Sequence, residues 1–211
     1  MRTVLIANSK GGSGKTTLAT NLAGYFASTG QRVVLSDWDR QQSSLRWLKR
    51  RSEVLPRIYG IDGRSQNSEA HDPQWTVIDS PAGLHGEKLT EAIKQADWVI
   101  VPMQPSLFDI SATDDFLAAL REEKAVRKER AFVAMVGNRV NVRTRAMNSL
   151  NSFLQDTGFP LLTYLRNAQA YIEAAEKGSS LFDFRPSQVK QDLEQWTPLL
   201  EWLVNSERHG K

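Results

Sequence analysis

Three glycines, two lysines and two threonines fall within ten residues near the start of the chain, Asn8-Ser9-Lys10-Gly11-Gly12-Ser13-Gly14-Lys15-Thr16-Thr17. Gly11, Gly12 and Gly14 let a backbone turn tightly and aim successive N–H groups at one point, an arrangement that suits phosphate oxygens. Lys15 adds a point charge for the outer phosphates, and the Thr16 hydroxyl is of the kind that ligates Mg²⁺. With Ser13 and Thr17 completing the run, the implied ligand is a nucleoside triphosphate with its Mg²⁺. Counted back from Gly14-Lys15-Thr16, the ordinary loop G-x-x-x-x-G-K-[ST] requires glycine at position 9, where the chain has serine. The pattern that fits is K-G-G-x-G-K-[ST], which singles out Lys10 as a second functional cation. Taken alone, Lys10 also suits a solvated loop charge.

Turnover of a triphosphate needs carboxylates near the metal and the attacking water. Val33-Val34-Leu35-Ser36 runs into Asp37-Trp38-Asp39-Arg40-Gln41. Alternate residues of an extended strand point to opposite faces, so only one of the two aspartates faces the phosphates while the chain stays extended. The pair also suits a strand end or a cap on a helix beginning near Gln41. Further on, Trp75-Thr76-Val77-Ile78-Asp79 precedes Ser80-Pro81-Ala82-Gly83, an apolar strand whose terminal Asp79 is a candidate holder of Mg²⁺ through a water. Gly83 either frees a segment that responds to the γ-phosphate or makes a turn. Phe132-Val133-Ala134-Met135-Val136 leads into Gly137-Asn138-Arg139. The Asn138 amide carries both a donor and an acceptor for a purine edge, and asparagine is equally a turn residue.

These segments, with Val99-Ile100-Val101-Pro102-Met103-Gln104-Pro105-Ser106, resemble the ParA/MinD family of deviant Walker A P-loop ATPases. The likeness runs from Met1 to about Phe184 and is most specific at 8–17, 37–41, 79–83 and 101–106. The resemblance implies a slow, partner-stimulated ATPase that forms a homodimer with ATP, Lys10 of each subunit reaching the partner's nucleotide. It implies that Lys10, Lys15 and Asp39 are catalytic, Asp39 polarising the hydrolytic water, and that Thr16, Asp37 and Asp79 lie at the metal. Arg40 departs from the proline usual in the family's D-x-D-P-Q segment. The 101–106 segment is expected to shape the dimer face, and Asn138 to recognise the base. Tyr164-Leu165-Arg166-Asn167 and Glu173–Gly178 resemble a region that serves the base side and, in partition members, DNA. Arg166 is the first candidate for nonspecific DNA contact, or an interface or capping arginine; Lys177, Arg143 and Arg145 follow on charge and position. A ParB-like or cargo adaptor is the implied activator. A MinD-like membrane regulator and a non-hydrolysing interaction module are the alternatives; electron- or metal-handling relatives need cysteine ligands, and this chain has no cysteine.

The elements that must position these residues follow from periodicity. Strand patterns recur at Val4–Ala7, Arg32–Ser36, Arg57–Ile61, Trp75–Ile78, Trp98–Met103, Phe132–Val136 and Leu161–Leu165. Amphipathic runs at Thr17–Thr29, Gln41–Arg51, Gly86–Gln95, Ala112–Val126 and Thr144–Thr157 lie between them, with Gly30, Gly137 and Gly158 as punctuation. Such alternation predicts an α/β fold, a mostly parallel twisted sheet with helices on both faces and ligands at the carboxyl ends of the strands. The polar stretch 62–73 predicts a surface loop. In the last helix, Val189, Leu193, Trp196, Leu200 and Leu203 form a stripe expected to dock on the core.

The 211 residues suit one domain, and the phosphate loop lies too near the start for an N-terminal helix-turn-helix domain within this sequence. No stretch has the length of a membrane span. The expected location is cytoplasmic, nucleoid-associated in the ATP state. Net charge is only +3, but bases cluster at Arg46–Arg51, and residues 121–145 hold eight bases against three acids. Either cluster fits a polyanion or a solvated helix face.

Overall fold

In the computed structural model, which describes residues 1–63, 72–141 and 157–205, seven strands form one sheet in the order β3-β2-β4-β1-β5-β6-β7. They are β1 (Arg2–Ile6), β2 (Val33–Asp37), β3 (Tyr59–Asp62), β4 (Trp75–Asp79), β5 (Trp98–Met103), β6 (Phe132–Val140) and β7 (Leu161–Arg166). Every pairing is parallel, so successive strands are joined by long crossover connections rather than tight hairpins. The helices are α1 (Lys15–Ser28), α2 (Ser43–Arg50), α3 (Gly86–Lys94), α4 (Leu107–Glu122), α5 (Lys124–Arg127), α6 (Gln169–Lys177) and α7 (Pro186–Asn205).

Period-2 alternation divides each central strand between two cores. Val4 and Ile6 face a layer with Leu18, Leu22 and Phe26 of α1, Trp47 of α2 and Trp196 of α7. Leu5 and Ala7 face the opposite layer, with Leu89 and Ile93 of α3 and Phe116, Leu117 and Leu120 of α4. Phe26 stacks on Trp75 with ring centroids 4.0 Å apart and planes 9° from parallel. The stripe of α7 enters the first core through Val189, Trp196, Leu199, Leu200 and Leu203, so docking against the domain accounts for its apolar face. No described helix is long and apolar enough to cross a membrane.

The sheet departs from the sequence expectation in instructive places. β6 does not stop before Gly137 but continues to Val140, with an irregular register against β7 and Arg139 at φ 52°. Gly137 lies inside the strand, and the position takes glycine because a Cβ there would sit 2.4 Å from the Tyr164 ring. The run expected as one helix over Ala112–Val126 begins earlier, at Leu107, and breaks at Glu123, whose ψ of 128° is extended. β2 and β4 each run one residue further, through Asp37 and Asp79. Most of the expected loop over 62–73, and all of the expected helix over Thr144–Thr157 but its last residue, lie outside the described residues.

Candidate nucleotide site

β1 is central, with β4 on one side and β5 on the other, so the chain reverses its direction of winding beside it, where open parallel sheets bind ligands. The segment leaving β1 forms the glycine loop, and α1 begins at Lys15 with no acidic residue in its first turn. Its free N–H groups and helix dipole favour an anion. Gly12 and Gly14 have φ of 78° and 102°, backbone geometry that side chains rarely adopt. At Gly14 a Cβ would also lie 1.8 Å from Asn138 Nδ2.

The loop is fixed from outside. Asn8 Nδ2 donates to Pro102 O (2.8 Å) and Thr113 Oγ1 (3.0 Å), while its Oδ1 accepts from Lys10 N (3.0 Å). Gln104 Nε2 donates to Gly12 O (2.6 Å), and Asn138 Nδ2 to Ser13 O (2.9 Å). Gly83 N donates to Ser9 O (2.9 Å), which ties the segment after β4 to the loop. Gly83 itself has φ 72°. Asn8 and Gln104 hold the loop through amide groups whose acceptors lie more than 90 residues away in sequence and leave no local signal.

Inside the loop, Lys15 Nζ donates to Lys10 O (3.0 Å) and Thr16 Oγ1 to Asp79 Oδ2 (2.8 Å). Burial lowers the Lys15 pKa, opposed by the charges of Asp79 and Asp39. Asp79 is pushed up to about 7, chiefly by burial and further by the charge of Asp37, against the hydrogen bond from Thr16 and the charge of Lys15. Its Oδ1 and the hydroxyl of Ser13 are buried without a partner. Orphaned buried oxygens are costly; a hard cation and the phosphates it accompanies answer that need, so the residues present fit Mg²⁺ and a nucleotide.

The two aspartates after β2 have separate environments. Asp37 is fully buried; its Oδ2 accepts from Ser44 N, Ser44 Oγ and Leu45 N (3.0, 2.8 and 3.2 Å), and its Oδ1 from Asp39 N (2.9 Å). Expected at the metal, it lies in register beside Asp79, but its carboxylate is committed to the first turn of α2. Asp39, half-buried in the following turn, accepts from Gln41 N (2.8 Å) and is near enough to Lys15 to act on it electrostatically. Gln42 precedes α2 in a left-handed conformation, φ 52°, and its side chain donates to Asp62.

Beyond Thr17 opens a cavity of about 590 Å³, lined among others by Asn138, Arg139, Arg166, Asn167 and Tyr171. The residues expected on the base side therefore meet next to the phosphate loop. Arg166 donates through Nε and Nη2 to Asp192 (2.6 and 2.9 Å), a pairing across β7 and α7 that keeps its charge satisfied within the chain while 41% of its side chain stays exposed. Lys177, in the last turn of α6, is exposed and lies 6.0 Å from the centroid of the Phe184 ring. Arg143 and Arg145 lie outside the described residues.

A glycine loop between a central parallel strand and a helix, with a threonine hydroxyl on a strand-end aspartate, defines a P-loop nucleotide-binding protein of the α/β class. The family model described as the CobQ/CobB/MinD/ParA nucleotide binding domain matches residues 4–182, and the chain belongs to that family. It is 27% identical over 188 residues to the maintenance of carboxysome distribution protein A of Halothiobacillus neapolitanus, covering 85% of this chain and 86% of that one. It is likewise 27% identical over 197 residues to Protein ParA of Rhizobium radiobacter, covering 89% and 88%. Among solved structures, a putative plasmid partition protein from Borrelia burgdorferi bound to AMPPNP superposes with a TM-score of 0.70 at 19% identity, covering 95% of this chain and 98% of that one. An ATP complex of McdA from Cyanothece gives 0.73 at 15% identity, covering 97% and 96%.

Proposed function

We propose that the chain is an ATP-dependent dimerisation switch with slow, partner-stimulated ATPase activity, holding nonspecific DNA as the ATP dimer and positioning a replicon or protein cargo in the cytoplasm. One observation carries the reading. The main chain of Lys10 is held on both sides, its N–H by Asn8 and its carbonyl by Lys15, whereas the ammonium of this half-buried residue has no ion pair or hydrogen bond among the described residues. A cation on a fixed stalk at the rim of a phosphate loop suits donation to a second nucleotide across a dimer face. Two facing triphosphates repel, and lysines supplied in trans offset that charge.

Within one subunit, the loop N–H groups and Lys15 orient the phosphates, and Asn138 holds Ser13 so that the loop keeps its curvature. Thr16 and Asp79 are the residues that would hold Mg²⁺, which would supply charge neutralisation to the phosphates. Asp39, with one carboxylate oxygen on Gln41 N, offers its other to a water. Arg139 and Asn138 border the cavity that suits a base. The relatives named for partition and carboxysome distribution support the cargo reading; a dimer doubles any basic surface, which favours salt-dependent retention on DNA.

The test is Lys10→Ala, sized by light scattering with ATP and Mg²⁺ alongside phosphate release. Loss of the nucleotide-dependent dimer and of stimulated turnover is expected; an unchanged dimer refutes donation in trans. Asp39→Ala should instead retain ATP dimers that fail to turn over.

A further inference from the structure

The break in the helix after α4 creates a hollow at the other end of the sheet. Its floor is apolar, from Ile93 of α3, Ala96 just beyond that helix and Ala125 of α5; its rim carries Lys94, Lys124, Lys128 and Arg130, and its volume is about 300 Å³. The four cations are exposed, and none has an ion pair or side-chain hydrogen bond among the described residues. Glu123 is the acid that lines the hollow, and it accepts from Thr90 Oγ1 (2.8 Å), which joins α3 to α5 across it. Asp97 close by accepts from Thr3 N (2.7 Å). Glu129 adopts φ 53°, a conformation uncommon for a non-glycine residue, and the turn it makes returns Arg130 N to Ala125 O (2.8 Å). Strain of this kind persists where the surroundings fix it, and here it brings a cation from a third segment to the same rim.

We propose that this hollow docks an acidic linear segment of a partner protein, with one bulky apolar side chain seated on Ile93, Ala96 and Ala125 and carboxylates paired to the surrounding lysines and arginine. Charge complementarity identifies the occupant as acidic, and the apolar floor separates a peptide from a polyphosphate backbone. Cations ringing a narrow concavity around an internal carboxylate do not match the convex, evenly charged rod of duplex DNA. The volume is at the lower end for small-molecule clefts and suits a single anchoring side chain. The hollow adjoins the starts of β5 and β6, whereas the phosphate loop lies past the strand ends, about 20 Å away along six residues of β5. A partner here leaves the phosphate loop and the Lys10 rim free, so docking is compatible with every nucleotide state and does not depend on the switch proposed above.

The probe is a fluorescein-labelled peptide of about ten residues, aspartate- and glutamate-rich with one central tryptophan, read by anisotropy against the 211-residue chain with and without ATP and Mg²⁺. Lys124→Glu with Lys128→Glu should weaken binding at least about tenfold while leaving ATP turnover unchanged, and replacing the central tryptophan with alanine should cost a similar factor. Amide shifts in ¹⁵N spectra should concentrate at 90–96 and 123–131. If the double variant melts early, Lys94→Glu with Arg130→Glu tests the opposite rim. Equal binding by both charge-reversed proteins overturns the proposal. So does indifference to the tryptophan, or a labelled DNA duplex that is lost from the variants while the peptide binds neither protein.

Discussion

Asp79 should make the protein less stable in the absence of ligand at the pH where it works, and replacing it with asparagine should relieve that cost. Burial raises its pKa from an ordinary 3.8 to about 7. Between those values the folded chain binds the proton more readily than the unfolded chain. The contribution is therefore fully favourable below about pH 4, falls as pH rises, and is lost above about pH 7. A gap of about three units at about 1.4 kcal/mol each gives roughly 4 kcal/mol as the upper limit. Asp79→Asn keeps a carbonyl oxygen for Thr16 and cannot ionise. Its stability relative to the parent should thus be near zero at pH 4 and grow to about 2–4 kcal/mol at pH 8, the range allowing for water entering the parent site. Urea unfolding with EDTA and no nucleotide, from pH 4.5 to 8, measures it, since groups remote from Asp79 cancel between the two proteins. A difference that does not change with pH, or a destabilised variant at pH 8, refutes the reasoning. With Mg²⁺ and ATP present the order should reverse, because the parent gains a ligand-linked term that the amide does not support.

Gly14→Ala should abolish nucleotide binding in an equilibrium dialysis assay while the chain stays folded, because its φ of 102° and the Asn138 amide at 1.8 Å both oppose a methyl group. Arg51→Ala should cost about 3–5 kcal/mol in denaturant unfolding, since Arg51 and Asp183 form a bidentate pair at 2.8 and 3.0 Å with side chains only 4% and 3% exposed. Burial alone would raise Asp183, but Arg51 and Ser180 outweigh it and hold its pKa below the ordinary value; this stability is present above about pH 4 and should fade as the solution becomes more acid, and a flat acid limb would contradict it. Arg166→Ala should lower stability by about 1–3 kcal/mol by leaving Asp192, 1% exposed, without its partner. A DNA-retention assay on that variant therefore needs a melting curve beside it, and retention equal to the parent removes Arg166 from the candidate contacts.

The phosphate loop was legible in the sequence because its determinants are local: glycines at fixed offsets, a strand before and a helix after. Asp79 was legible for the same reason, and the structure brings it to Thr16 across 63 residues. Alternating apolar runs likewise announced the parallel sheet. The departures come where a distant side chain overrides a local signal. Gly137 reads as a stop, yet its role depends on the Tyr164 ring of the next strand. Asp37 reads as a carboxylate at or behind the metal, and what local pattern does not show is that its Oδ2 accepts from the backbone of α2. Gly178 ends α6 with φ 64°, and a Cβ there would also lie 2.4 Å from Arg51 N.

That last contact shows what local pattern could not reveal about α2: the helix itself is readable over Gln41–Arg51, but the contacts that fix its ends are not. Its first turn is held by Asp37, at the end of the strand beside Asp79. Its far end is fastened to the base-side segment by Trp47 Nε1 on Ser179 O (3.1 Å), Arg50 Nη2 on Ala175 O (3.1 Å) and the buried Arg51–Asp183 pair. The basic run Arg46–Arg51 is consequently not a uniform charged face: Arg50 and Arg51 are tied into the chain, and Arg51 is almost wholly buried. Charge counting treats these residues as equivalent, whereas burial separates a structural rivet from its solvated neighbours Arg46 and Lys49. The carboxylate turn after β2 and the cavity beyond Thr17 are thus joined by one short helix whose two ends are both fixed by contacts distant in sequence.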